Sequence, residues 1–262
     1  MQSQSKPFAD ITVVLTIWKR NNLHEQIGCI LSQTIRPREI IIVQCCNFVK
    51  LSFPDVESLG VELKYVYSSY DFGYFFRFTI ANHAKSEYIY IMDDDIIPTK
   101  NWLDYIYGIC RKEHVIVTSS GRIIPSGNYY PEKESNAEYL NKFFVGDGSD
   151  LQYNFNNKDR LVDFGCNSWF FKKEWLYSLW NIPPFTLSTG EDIHFSAVLS
   201  MVNKTKTLVP RQTNRCNGNT KKIYGYDSSA SWKRKNFLKD RSKILHHLID
   251  TLGWKPILWE NK

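Results

Sequence analysis

The chain has 262 residues, of which 43% are hydrophobic and 15% aromatic, and its formal net charge is +6. This length and apolar content supply the core of one large α/β domain or two small ones, and they exclude a wholly disordered chain. No apolar stretch approaches the roughly 20 residues of a membrane-spanning helix. The polar N-terminus has no apolar signal-peptide core, so we expect a soluble, cytoplasmic protein without a membrane span.

The first 120 residues alternate apolar runs with helical patterns. The runs predict strands at 11–18, 39–46, 61–68, 87–92 and 114–120, and the periodic segments predict helices at 21–33, 73–84 and 101–112. Continuous apolar runs are typical of central parallel strands, and their alternation with helices indicates an α/β fold. We therefore predict a doubly wound, mostly parallel sheet flanked by helices. Ligands of such sheets bind beyond the carboxyl ends of the strands.

The second half of the chain is less regular. Residues 121–160 form a long irregular insertion rich in Gly, Pro, Asn, Asp and Tyr. The segments that follow predict a strand at 160–171 and helices at 172–180, 190–204 and 235–253. No linker divides the chain, so we predict a single domain with parts at 10–120, 121–210 and 211–262.

The run YIYIMDDDIIP, residues 88–98, ends an apolar strand with three consecutive aspartates, Asp93, Asp94 and Asp95. Adjacent carboxylates repel one another, so the triplet indicates that a positive partner is held there. Mg²⁺ and Mn²⁺ bind carboxylate oxygens together with the oxygens of a substrate's phosphates. The alternative is an acidic loop that caps the helix beginning near residue 100.

An apolar strand followed by Asp-x-Asp (DXD) at the fourth strand of an α/β fold resembles the GT-A glycosyltransferases. Residues 11–44, ITVVLTIWKRNNLHEQIGCILSQTIRPREIIIVQ, are similar to the opening of family 2 glycosyltransferases, and FRFTIANHAKSEYIYIMDDD resembles their helix that leads into the metal strand. Later, FGCNSWFFKKEWLYSLWNIPP and TGEDIHFSAVLS resemble segments of the exostosin-like branch. The resemblance covers about residues 10–210 and implies a GT-A type fold.

The resemblance implies that a UDP-sugar donor binds with Mn²⁺ (or Mg²⁺). Asp95 matches the metal-coordinating position, with Asp93 and Asp94 towards the ribose and the donor sugar. The residues that it places near the nucleotide are Thr16, Trp18, Arg20, Arg77 and Asn82. Alternatives stay open, since Thr16 can pack in the core, Arg20 can be a surface charge and Asn82 can cap a turn.

Glu191 and Asp192, at the start of the helix predicted at 190–204, form a second acidic cluster. A sugar hydroxyl has a very high pKa, so a carboxylate within hydrogen-bond reach must accept its proton during transfer. The resemblance places this general base at Asp192, with Asn167, Trp169 and Glu191 on the acceptor side. The alternative is a cluster of acids that the dipole of the helix favours in its first turn.

Residues 204–243 hold twelve Lys or Arg against two acids, so the rest of the chain carries about −4. Such a segment can close over a diphosphate as a lid, bind nucleic acid or an anionic membrane, or form a solvated face. The lid candidates are Arg211, Arg215, Lys221, Lys222 and Arg234. The aromatic candidates for stacking on acceptor sugars are Tyr129, Tyr130, Tyr139, Trp169 and Trp232.

These features favour a metal-dependent glycosyltransferase that moves a sugar, a pentose such as xylose being one candidate, from a UDP-sugar to a glycan hydroxyl. Residues 10–120 would bind the nucleotide-sugar, 121–210 the acceptor, and 211–262 would form a basic lid and a C-terminal helix. We expect inversion with Asp192 as base and no nucleic-acid partner. The exostosin-like resemblance leaves retaining hexosaminyl transfer open, and a non-catalytic carbohydrate- or nucleic-acid-binding module is the alternative of another class. The compact format resembles transferases of large algal viruses, which implies the host cytoplasm.

Overall fold

The computed structural model describes residues 6–125, 144–146 and 157–259, without the side chain of residue 222. In these ranges the strands are β1 (Phe8–Ile17), β2 (Arg36–Cys45), β3 (Glu62–Ser68), β4 (Tyr88–Met92), β5 (Ile116–Arg122), β6 (Phe144–Gly146), β7 (Arg160–Val162), β8 (Phe164–Lys172) and β9 (Thr207–Val209). The α-helices there are α1 (Leu23–Ser32), α2 (Phe76–Ala81), α3 (Trp102–Glu113), α4 (Leu176–Leu179), α5 (Glu191–Asn203) and α6 (Phe237–His246).

One continuous sheet runs through the described chain in the order β3-β2-β1-β4-β8-β5-β9-β7, and β6 pairs with β5. The pairings among β3, β2, β1 and β4 are all parallel. β8 lies between β4 and β5 and is antiparallel to both, whereas β5 and β9 are parallel. The predicted α/β class, a central sheet flanked by helices, is confirmed. Its doubly wound parallel part consists of β1 to β4, and the aspartate triplet follows the last of these strands.

The core explains why the first strands read as continuous apolar runs. Ile11, Val13, Val14 and Leu15 of β1 are all fully buried, because a central parallel strand is covered on both of its faces. A second apolar cluster joins residues of α5 and α6, among them Ile193, Phe237 and Ile244. This cluster fixes α6 against the start of α5.

Some elements differ in extent from the sequence prediction. The strand predicted at 160–171 is two strands, since the chain leaves β7 at Asp163 and enters the centre of the sheet as β8. The carboxylate of Asp163 accepts hydrogen bonds from the backbone N–H groups of Ile124 at 2.6 Å and Ile257 at 2.7 Å, which hold the chain at this break. The helix predicted at 73–84 is limited to Phe76–Ala81. In the described part of the chain, no helix has the length and apolar character to span a bilayer.

Candidate active site

A cavity of about 990 Å³ opens at the carboxyl ends of β1 and β4. This is the edge of a doubly wound sheet at which ligands bind. The predicted site residues that line it are Thr16, Trp18, Arg20, Arg77, Asp93, Asp94, Asp95, Asn167, Trp169, Glu191 and Asp192. The fold therefore brings the end of the first strand, the triplet and the Glu-Asp pair to one place.

Asn82 is the predicted site residue that does not line this cavity. It follows the last residue of α2, and its Nδ2 lies 3.4 Å from the carbonyl oxygens of both Phe78 and Thr79. These bonds correspond to the turn-capping alternative, since the last carbonyls of a helix lack partners within the helix. The structure does not bring Asn82 to the other predicted residues.

The triplet lies in a turn that α1 holds in place. Gln26 Nε2 donates to the carbonyl oxygen of Asp93 at 2.8 Å, and Asn22 Nδ2 donates to that of Asp94 at 2.8 Å. The Ile96 N–H also donates to the Asp93 carbonyl, at 3.2 Å, which closes the turn. Polar side chains at the start of α1 thus fix the backbone from which the three carboxylates project.

Two arginines form ion pairs with the three aspartates of the triplet. Arg77 of α2 is buried and forms an ion pair with Asp93. Arg20, which follows β1, donates to Asp94 Oδ1 at 2.5 Å and lies 3.1 Å from Asp95 Oδ2. Part of the positive charge that the sequence predicts beside the aspartates is therefore supplied by the chain itself.

The charge of Asp95 is incompletely compensated by the arginines. Burial, together with the charges of Asp93 and Asp94, raises its pKa to about 7, and Arg20 opposes this increase. Burial also raises the pKa of Asp94, against the attraction and hydrogen bond of Arg20. A further cation near Asp95 would stabilise its charged form.

The donor set fits a hard divalent cation that is bound jointly with a substrate. Among the described residues, no three or more His, Cys, Asp or Glu side chains form a complete metal-binding group. Mg²⁺ and Mn²⁺ in nucleotide sites often take only one or two carboxylates and complete their coordination with water and phosphate oxygens. Asp95, with Asp94 beside it, offers such oxygens in a site where the carboxylate is desolvated.

The end of β1 forms another wall of the cavity. Trp18 packs edge-on against Phe48, with ring centroids 5.9 Å apart, and Lys19 Nζ lies 4.0 Å from the centroid of the Trp18 ring. The buried indole N–H of Trp18 has no hydrogen-bond partner among the described residues. Thr16 Oγ1 donates to the Met92 carbonyl at 3.1 Å, so its hydroxyl ties β1 to β4. The Trp18 indole N–H is thus an unused donor at the end of β1.

Asn167 and Trp169 of β8 support the wall of the site. Trp169 is 1% exposed, and its ring packs against Phe78 with centroids 5.8 Å apart. This burial corresponds to the core-packing alternative, because a ring so enclosed presents no free face for stacking on a sugar. The carbonyl of Asn167 accepts the N–H of Asp93 at 3.0 Å, which ties β8 to the triplet.

The Glu-Asp pair lies in the first turn of α5, where a glycine sets its position. Gly190 has φ +79°, and a Cβ added there would lie 2.3 Å from Ile244 Cδ1 of α6. Any other residue at this position would have an unfavourable positive φ, and its Cβ would clash with Ile244. Gly190 therefore allows α6 to pack directly onto the start of α5.

The two carboxylates of this turn have different surroundings. Arg241 of α6 donates to both oxygens of Asp192, from Nη1 at 3.0 Å and from Nη2 at 2.7 Å. Glu191 has a cation at a greater distance, with 3.8 Å between its Oε1 and Arg77 Nη2. Burial, together with the charge of Asp192, raises the pKa of Glu191 to about 7, while Arg77 and Arg241 oppose this increase.

The basic C-terminal segment reaches the cavity only in part. Of the predicted lid residues whose side chains are described, Arg234 lines the cavity, where its Nη2 lies 3.3 Å from Thr189 Oγ1. Lys221 lies outside and pairs with Glu25 at 3.7 Å, and the side chains of Arg211 and Arg215 are exposed. Trp232 lines the cavity as well. The side chain of Lys222, and Tyr129, Tyr130 and Tyr139, lie outside the described residues.

Sequence reasoning missed Arg241 and Asp227. Arg241 has the same helical spacing as the buried Phe237 and Leu245, and a charged residue on the apolar face of an amphipathic helix is a signal for a buried ion pair. Asp227 accepts two hydrogen bonds from Arg20, from Nε at 2.7 Å and from Nη2 at 3.0 Å. No local pattern points to it, since its partner lies 207 residues away.

No protein-family model and no curated protein matches this sequence. Among solved structures, it is similar to S. aureus TarS, with 13% identity and a TM-score of 0.47 over 79% of this chain and 36% of that one. It is also similar to S. aureus TarS 1–349, alone and in complex with UDP, with 14% identity and a TM-score of 0.48 over 79% of this chain and 59% of that chain in both cases. The chain thus spans less than two thirds of the length of these structures.

Proposed function

We propose that this chain is a glycosyltransferase that moves a sugar from a UDP-sugar to a hydroxyl of a glycan or glycoside. The observation that carries the proposal is that one cavity holds both acidic clusters, with Arg77 between them. Arg77 pairs with Asp93 of the triplet, and its Nη2 lies 3.8 Å from Glu191. Transfer needs a site for a phosphate leaving group next to a carboxylate that can take a proton, and this cavity offers both.

The cations of the cavity suit the leaving group. Arg20 and Arg77 lie at the triplet, and further cations line the same cavity, namely Lys19, Arg122, Lys233, Arg234 and Arg241. As the bond between the sugar and the diphosphate breaks, negative charge develops on the diphosphate, and preorganised guanidinium and ammonium groups stabilise it. A Mn²⁺ or Mg²⁺ ion held by Asp95 would add to this charge neutralisation. Trp18, with its unused indole N–H, would contact the nucleobase at the end of β1.

The acidic first turn of α5 supplies the general base. In direct displacement, an acceptor hydroxyl attacks the anomeric carbon while a carboxylate takes its proton. This single step inverts the anomeric centre and needs no covalent enzyme intermediate. We propose inversion, with the base drawn from the Glu191–Asp192 pair, for which the sequence predicts Asp192. A pentose donor such as xylose remains one candidate within this proposal.

A screen of nucleotide sugars by thermal shift, with and without Mn²⁺, tests the proposal. We expect UDP-sugars to raise the melting temperature, and Mn²⁺ to increase this shift because the ion and the diphosphate bind jointly. NMR of the anomeric proton of the transfer product then reports the stereochemistry. A product that keeps the donor's configuration would establish retention instead. Glycan binding without turnover of any nucleotide sugar would favour a non-catalytic module.

A further inference from the structure

Asp192 is held on both of its oxygens. Arg241 donates to them at 3.0 and 2.7 Å, and the N–H of Ile193 donates to Oδ1 at 2.8 Å. Arg241 is itself 5% exposed. A bidentate, charge-assisted pair of this kind is strong and geometrically specific. To accept a proton, Asp192 would have to give up hydrogen bonds that a buried guanidinium makes to it.

Glu191, one residue earlier, lines the same cavity with its carboxylate much less engaged. Among the described residues, no hydrogen bond reaches either of its oxygens. Its contact with Arg77 Nη2, at 3.8 Å, is longer than a hydrogen bond, and Arg77 pairs with Asp93 through Nη1. The oxygens of Glu191 are therefore available to a hydroxyl that enters the cavity.

On the basis of the proposed transfer, we infer that Glu191 is the carboxylate that accepts the acceptor's proton, and that the Asp192–Arg241 pair positions it. In the step, the O–H bond of the acceptor breaks and its proton binds a Glu191 oxygen. The freed oxygen forms the bond to the anomeric carbon. The bond between that carbon and the diphosphate oxygen breaks, and its electron pair leaves with UDP. Glu191 then returns the proton to water.

The surroundings of Glu191 suit it to this role at neutral pH. Burial raises its pKa to about 7, and a general base is most effective when its pKa is near the working pH. The charged and titratable groups that face it are Tyr74, Arg77, Asp93, Asp192 and Arg241. Since the base must be deprotonated, transfer should fall as the pH drops through about 7.

The test is the pH dependence of kcat at saturating donor and saturating Mn²⁺, because a cation at Asp95 would keep that carboxylate charged over the range in which Glu191 titrates. Five proteins are compared: wild type, Glu191→Gln, Glu191→Asp, Asp192→Asn and the matched control Glu57→Gln, whose carboxylate is exposed and does not line the cavity. We expect Glu191→Gln to lower kcat by about 10²- to 10⁴-fold, the usual contribution of a general base, and to remove the inflection near pH 7. Its affinity for UDP should persist, and Glu191→Asp should restore part of the rate.

Asp192→Asn should lower kcat by less and keep the inflection, because Glu191 still titrates. If Asp192→Asn removes both the rate and the inflection while Glu191→Gln keeps them, Asp192 is the base and the inference is overturned. Should Asp192→Asn fail to fold, Arg241→Lys replaces it as the variant that loosens the pair. An inflection that moves with Arg241→Lys but survives Glu191→Gln would also overturn the inference.

Measurements on the wild type separate this inference from the function on which it rests. A wild-type chain that neither binds nor turns over any nucleotide sugar would reject the proposed function and the inference together. Turnover that depends on Asp192 and not on Glu191 would leave the glycosyltransferase proposal intact and reject the inference alone.

Discussion

The two acidic clusters of the cavity are neutralised in different ways. At the end of β4, three aspartates share Arg20 and Arg77, and Asp95 is left with a pKa raised to about 7. At the start of α5, Arg241 binds both oxygens of Asp192, and Glu191 is left with a pKa raised to about 7. Each cluster thus contains a carboxylate that the arginines compensate incompletely, Asp95 in the triplet and Glu191 in the helix turn. We propose a cation as the partner of Asp95 at the sheet edge, and a proton as the partner of Glu191 in the helix turn.

The strongest effect should come from removing the carboxylate of Asp95. Asp95→Asn should lower transfer by about 10³-fold or more, since a lost charge-stabilising contact to the leaving group typically costs about 10²- to 10³-fold and metal-assisted donor binding is lost with it. Initial rates of transfer and the Mn²⁺-dependent part of the thermal shift measure this. Asp104→Asn, which changes an exposed aspartate of α3, is the control. If Asp95→Asn keeps both the wild-type transfer rate and the Mn²⁺-dependent thermal shift, Asp95 is not the residue of the triplet that binds the cation.

An intermediate effect is expected from the arginine that Asp94 and Asp95 share. Arg20→Gln should weaken binding of a UDP-sugar by about 10- to 100-fold, since a charge-assisted contact to phosphate contributes on the order of 1.5–3 kcal/mol. Titration calorimetry with UDP measures the change, and Arg38→Gln, at an exposed arginine that lies 3.6 Å from Asp10, is the control. Equal affinities in the two variants would show that Arg20 serves the fold and not the donor.

The weakest effect should be on stability, and it concerns both clusters together. The folded-state pKa values of Asp95 and Glu191 are raised above those of the unfolded chain, so the folded state binds more protons and gains stability as the pH falls. We expect each of the two carboxyl groups to add on the order of 1 to 2 kcal/mol to the free energy of unfolding of the ligand-free protein between pH 8 and pH 5. Buried His194, whose pKa is lowered to about 4, contributes in the opposite direction over the same range. Urea unfolding at several pH values measures this. The contribution of each carboxyl group is the difference between the wild-type profile and that of Asp95→Asn or Glu191→Gln, and this difference should grow towards pH 5. Variant profiles that run parallel to the wild type would contradict the raised pKa values.

Much of the site's location could be predicted from local patterns. The apolar run at 88–92 and the triplet after it placed three carboxylates at the end of a strand, and the doubly wound pattern placed that end at a ligand site. Helical periodicity from residue 190 placed Glu191 and Asp192 in a first turn. Asn82 shows where such reasoning fails, because α2 ends at Ala81 and the amide bonds to its own helix.

Local patterns were enough to place the triplet at the end of a strand and the Glu-Asp pair in the first turn of a helix, because strand and helix periodicity depend on neighbouring residues. Which of these carboxylates are compensated is set by the packing of the fold. The arginines responsible lie far along the chain, Arg20 74 residues from Asp94 and Arg241 49 residues from Asp192. Desolvation and ion pairing depend on distances in space, which arise when β1 packs beside β4 and α6 packs onto α5. The difference between Glu191 and Asp192, adjacent in sequence, is therefore a property of the fold.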